Sequence, residues 1–329
     1  MGLFVITDAY KPSWIESVYG DKEVTNLYKC DDNAFLTLDG AEYCVNENEN
    51  VSNTEWIDFL TNLNNAQTTE EIETIFDVDS FITDMVIDYL TGGWDHFMHI
   101  GHNYYMYKQL NGKWKYLSYD FDHDIGMNLD RVYATFITKD LPERLERINT
   151  DYPNYSFKEW SKPHHLIDVL ILKDPTRFNE ILKEVVEKVF NPAALFPRID
   201  ELKTFIKPYI ILDKTPNSKG KYPGEINYIG SQGYCLAEWD ANSEFTKVET
   251  HQYNAYGKKY WILAKYRYVC NAYQLECDPT YLGENYPYSV DKEVEFKGYC
   301  DPIPVDTSIE NETDNPTKTE SIISTETIM

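Results

Sequence analysis

TGGWDHFMHIGHNYYMYKQLNGKWKYLSYDFDHDIG, residues 91–126, sets the architecture of this chain. It opens where a helix ends. Upstream, Phe81, Ile82, Met85, Val86, Tyr89 and Leu90 recur at helical spacing behind a cap at Ser80, and Gly92 with Gly93 stops the run. A loop carrying Asp95 and Asn103 follows. Then come NYYMYKQL and KWKYLSYDFD, two alternating, aromatic-rich segments joined at Asn111 and Gly112, the pattern of a β-hairpin. A hairpin returns the chain to where it started, so the acidic turn behind it is brought back to the loop of Asp95.

Outward from this stretch, LFVIT at 3–7 reads as a buried strand and KPSWIESVYG at 11–20 as a short helix closed by its glycine. Residues 31–53 are polar and Asn-rich, a loop between Cys30 and Cys44. Thr68, Thr69, Glu70 and Glu71 mark a helix start. Segments 166–172, 178–189 and 199–210 carry i, i+3, i+4 apolar periodicity and are separated by Pro175, Pro192 and Pro197, which predicts a helical subdomain. Residues 217–234 read as a loop, YGKKYWILAKYRYVCNAYQ as one more amphipathic helix, and 301–329 as a disordered Ser/Thr/Glu-rich tail. The expected division is a domain over 1–280 and a tail over 281–329, in the α+β class.

Composition narrows the partners. The 329 residues hold 55 acidic and 30 basic side chains, a net charge of −25 that repels phosphate backbones and anionic lipid, so no nucleic-acid partner is expected. A divalent cation is the natural ionic partner. No run of about 18 apolar residues occurs, so no membrane span is expected. Six cysteines without a CxxC pair exclude a zinc ribbon and leave fifteen disulfide connectivities open. With sequons at Asn50, Asn154 and Asn311 they point to an oxidising, secreted setting. The start MGLFVITDAYKP has neither a charged leader nor a long apolar one, from which the expectation follows that Met1 is not the true start.

A loop with an acid and an amide, a hairpin, then an acidic turn is the order in which protein kinases place the group that handles the substrate hydroxyl and the groups that bind metal. Moving a γ-phosphoryl group requires one or two Mg²⁺ ions held by oxygen ligands, and Asp95, Asn103 and Asp120 supply such groups. GGWD, HNYYMY and YDFDHDIG resemble the motifs of the spore coat CotH kinase family, a tryptophan–aspartate loop, an Asn-aromatic strand and a DxD-like metal turn. The resemblance runs from GLFVITD through LYK at 27–29 to the helix with YGKKYWI. It implies an atypical protein-kinase C-lobe, mainly helical with a hairpin at the active site and most of the N-lobe missing. It implies further that ATP and Mg²⁺ (or Mn²⁺) are cofactors, that Asp95 is the catalytic acid or base, and that Asn103, Asp120 and Asp122 bind metal. Lys29 is the lysine it offers to the nucleotide, and the substrate would be a secreted, cell-surface or spore-coat protein. The chain departs from the family where Gly93 stands for Asn before the tryptophan and where His102 and Asn103 replace an Asn pair.

Two other readings stay open on the residues. One is a non-catalytic cell-surface or adhesion module of the same fold. The other is a metal-dependent hydrolase built on His96, His99, His102 and His123. His164 and His165 read as surface residues, and Trp94 as loop packing.

Overall fold

The hairpin forms as its sequence requires. Strand β3 (Tyr104–Lys108) pairs antiparallel with β4 (Trp114–Ser118), Lys108 opposite Trp114 and Tyr104 opposite Ser118. Asn111 turns the chain in the left-handed region at φ 53°, and the Gly112 amide closes the turn on the Gln109 carbonyl at 2.9 Å. The structure is a computed structural model that describes residues 6–31, 33–129, 151–218, 222–223, 235–249, 254–283 and 286.

Two more strands extend this ribbon. β1 (Leu27–Cys30) lies along β3, and β2 (Cys44–Asn46) along β1, giving an antiparallel sheet in the order β2-β1-β3-β4. The 31–53 stretch is therefore more than the expected loop. Cys44 lies opposite Cys30 and is bonded to it, which holds a short edge strand inside a polar segment. A second disulfide joins Cys270 to Cys277.

Strand alternation explains why the aromatic residues are where they are. Tyr28, Tyr104, Met106, Trp114 and Tyr116 point to the main core, where Tyr28 stacks on Trp56 at 4.8 Å and Phe59 on Trp114 at 4.8 Å. Leu27, Tyr105 and Tyr107 point the other way, under helix α1 (Pro12–Tyr19) and its Ile15. Both faces are thus buried. The core is closed by α2 (Thr54–Asn65), by the short α3 (Thr69–Glu73), whose Thr68 and Glu71 form a capping box, and by α4 (Val78–Thr91).

Helix α4 starts one turn earlier than expected. Asp77 caps it and accepts from the Ser80 amide, so Ser80 is inside the first turn. It ends at Gly92, whose φ of 73° only glycine adopts without strain. Beyond the site, helical turns at 165–172 lead to α5 (Thr176–Lys188) and α6 (Pro192–Asp213). Pro197 does not separate two helices: it lies inside α6, as does Pro208. Helix α7 (Lys258–Ala272) is the expected YGKKYWI helix and packs on α4. His164 is not a free surface residue. Its ring stacks on Phe35 at 4.8 Å, and burial lowers its pKa to about 4. Residues 3–5 of the expected first strand lie outside the described residues, as do most of 217–234 and all of 301–329, while Ile6 and Thr7 are not in a strand. Among the described residues no helix is long and apolar enough to cross a membrane.

Candidate functional site

Hairpin register decides what meets at the site. The Tyr119 amide donates to the Asn103 carbonyl at 3.0 Å, so the ladder ends with Asn103 beside the start of the acidic turn. Asn103 and Asp120 both take left-handed backbone, φ 57° and 64°, a region that Asn and Asp enter more readily than other side chains. The Asn103 amide nitrogen donates back to the Asp95 carbonyl and to its Oδ2, each at 3.1 Å. Trp94 anchors the far side of the loop through its indole N–H, which donates to the Met127 carbonyl at 2.8 Å.

Asp95, Asp122 and His123 converge. One ligand atom of each lies within 4.8 Å of the others, a group of two carboxylates and an imidazole at the surface. The His123 ring rests against Trp94 at 4.8 Å between centroids. Burial pushes the Asp95 carboxyl above the ordinary carboxylate range, against the pull of His102, His123 and His96. Of the two acids in DFD, Asp122 is the one that joins this group, while Asp120 is exposed and outside it.

Behind the turn is a second set of acids that the sequence reading missed. Asp88, buried in the last turn of α4, faces His96 Nδ1 at 3.1 Å, and His96 Nε2 meets the Tyr119 carbonyl at 3.0 Å. Asp124 Oδ2 accepts from the Thr91 hydroxyl at 2.6 Å, and the Ile125 amide donates to the Thr91 carbonyl at 2.6 Å. Burial alone would discharge His96, but Asp88, with Asp124 and the Tyr119 carbonyl, overrides it and raises the ring's pKa to about 10. Burial, then the charge of Asp88, pushes Asp124 up to about 7. Asp84, one helical turn before Asp88, accepts from the Ser118 hydroxyl at 2.7 Å and is raised by burial to about 7. A signal for this set existed: Asp84 and Asp88 sit four apart within the apolar periodicity of α4.

Lys29 is on the outer face of the sheet, paired across β1 and β3 with Tyr105. Its ammonium bonds Asp31 at 2.8 Å, and Asp31 in turn faces the Tyr119 hydroxyl at 3.3 Å and His102 Nδ1 at 3.6 Å. The lysine therefore reaches the acidic turn through Asp31 and Tyr119 and makes no ion pair with Asp95 among the described residues. The four-histidine centre does not assemble. His96 is spent on Asp88 and Tyr119, and His99 is buried edge-on to Trp160 at 4.7 Å, which leaves His123 as the imidazole that joins the acids.

The sequence has relatives among known proteins. The family profile described as CotH kinase protein matches residues 1–253, and the chain belongs to that family. Among curated relatives, the chain is 29% identical over 180 residues to spore coat protein homolog 1 of Rhizopus delemar, covering 52% of this chain and 25% of that protein. It is 30% identical over 167 residues to invasin CotH7 of the same fungus, covering 49% and 25%, and 29% identical over 150 residues to its invasin CotH2, covering 44% and 23%. The matched part spans about a quarter of the length of these relatives.

Proposed function

We propose that this chain carries the metal-binding catalytic half of a CotH-type protein kinase that moves the γ-phosphoryl group of ATP to hydroxyls of secreted, cell-surface or spore-coat proteins. In this reading the helical body and the site hairpin correspond to a kinase C-lobe. The observation that carries it is the convergence of Asp95, Asp122 and His123 within 4.8 Å on a chain of the CotH kinase family. Two carboxylates and an imidazole suit a divalent cation, and the imidazole favours Mn²⁺ over Mg²⁺. Asn103 and Asp120 are further oxygen donors on the same loops. A bound cation supplies charge neutralisation at the phosphates.

The chain's own groups then have defined tasks. Asn103 fixes the Asp95 carboxylate through its amide, which orients the other carboxylate oxygen toward an incoming hydroxyl. Asp95, whose carboxyl burial pushes above the ordinary carboxylate range, is the group placed to take that hydroxyl's proton, with Asp122 and His123 left to hold the cation. Lys29, steered by Asp31, is the candidate contact to the nucleotide.

Calorimetric titration of ATP with and without Mn²⁺ or Mg²⁺, into the wild-type chain and an Asp122→Ala variant, tests the proposal. Metal-dependent binding that the variant loses supports it. Absence of nucleotide binding in both sinks catalysis by this chain and favours a second reading, a non-catalytic surface module, which the invasin names of two relatives support. Either reading puts the protein on a coat or a cell surface.

A further inference from the structure

Edge strand β2 is an exposed liability. Among the described residues it is the outer strand of the sheet, with Val45 64% exposed on it and Tyr43 42% exposed beside it. An open edge with apolar side chains is a template for pairing with another chain, and folded proteins blunt such edges. The turn that leaves β2 carries Asn50-Val51-Ser52, an N-glycan acceptor pattern, with Asn50 and Ser52 exposed. The Asn50 backbone amide donates to Asn48 Oδ1 at 3.2 Å, and among the described residues its side-chain amide has no hydrogen bond. Ser52 and Ser156 are both hydrogen-bonded, to Thr54 and Glu159, so the sequons differ at the asparagine: the Asn154 amide donates to Asp151 Oδ2 at 2.6 Å, and Asn154 sits between buried Pro153 and Tyr155.

We propose that Asn50 carries an N-linked glycan that covers the β2 edge. The inference rests on the reading of the chain as a secreted protein, which the paired Cys30–Cys44 and Cys270–Cys277 accompany. The co-reactant is a lipid-diphosphate-linked oligosaccharide. Asn50 Nδ2 forms a bond to the C1 carbon of the first sugar, the C1–O bond to the diphosphate breaks, and the lipid diphosphate leaves with its electron pair. The amide gives up one proton, and nothing is oxidised or reduced. A glycan rooted in the turn hangs over β2 from a point where no side-chain contact has to be broken.

The full-length protein, expressed in a eukaryotic host and alkylated without reduction, is treated with a peptide N-glycosidase in heavy-oxygen water and mapped by mass spectrometry. Labelled aspartate at position 50 is expected, with a Ser52→Ala variant losing that label and one glycan step on a gel. Paired cysteines with an unlabelled Asn50 overturn the site while leaving secretion intact. Alkylated Cys30 and Cys44 with no labelled sequon overturn secretion and the glycan together. Enzymatic removal of the glycan from folded protein is expected to raise self-association several-fold, and an unchanged sedimentation profile would remove the covering role.

Discussion

Two sets of aspartates meet at the end of α4, a few residues apart in sequence and opposite in use. Asp122 is exposed and converges with the half-buried Asp95 and with His123, whereas Asp84, Asp88 and Asp124 are turned inward beside Ser118, His96 and Thr91. The residue type is the same. What differs is burial and charge: the inner carboxylates share the buried His96 ring and the Ser118 and Thr91 hydroxyls, with Asp88 Oδ2 and Asp124 Oδ1 still lacking a hydrogen bond among the described residues, while the outer group reaches solvent through Asp122 and His123.

The inner set should tolerate least. His96→Ala leaves Asp88 buried without the cation it faces, and breaking a buried pair from one side typically costs about 3–5 kcal/mol. Urea denaturation measures it, and a loss below about 1 kcal/mol would show that the two sets do not differ as described. Gly93→Ala comes next. A β-carbon there would lie 2.8 Å from Asp124 Oδ1, 3.1 Å from Asp88 Oδ1 and 3.2 Å from His96 Nδ1, an overpacking cost of about 1–3 kcal/mol in the same assay.

Protonation separates the sets more finely. The folded-state pKa of Asp84 is about 7, against an unfolded value of about 3.9, so the native chain holds the proton more tightly. That contribution is full at low pH and fades as pH rises from about 4 through about 7. Asp84→Asn is therefore expected to flatten the decline in melting temperature across that window. Asp122→Asn is the smallest structural change, within about 0.5 kcal/mol of wild type because the side chain is 66% exposed, yet it should lose most of the Mn²⁺ affinity seen by calorimetry. Equal losses of stability and metal affinity would erase the contrast.

What could be read from the sequence follows the range of the forces. The Asn111–Gly112 hairpin, the stop at Gly92 and the Thr68/Glu71 helix start are written within a few residues, and each is present. Pairing of β1 with β3 joins residues some eighty positions apart, and nothing local encodes it; the same is true of β2, held across from β1 by Cys30–Cys44 inside a polar segment. At the site, the meeting of Asp95 with Asn103 and the acidic turn follows from the hairpin. The choice of Asp122 with His123 depends on the left-handed turn at Asp120, and the inner acids depend on which face of α4 is covered, and by what.

Trp261 of α7 carries one more consequence. Its indole N–H donates to the Leu90 carbonyl at 2.9 Å, and its ring occupies the space a β-carbon would need at both Gly92 and Gly126, the two ends of the site segment. The family match stops at residue 253, five residues before this helix begins. A protein cut at that border would keep the acids and lose the wall they lean on. The mechanical unit of this domain therefore extends past residue 253 and takes in α7 with its Cys270–Cys277 clasp.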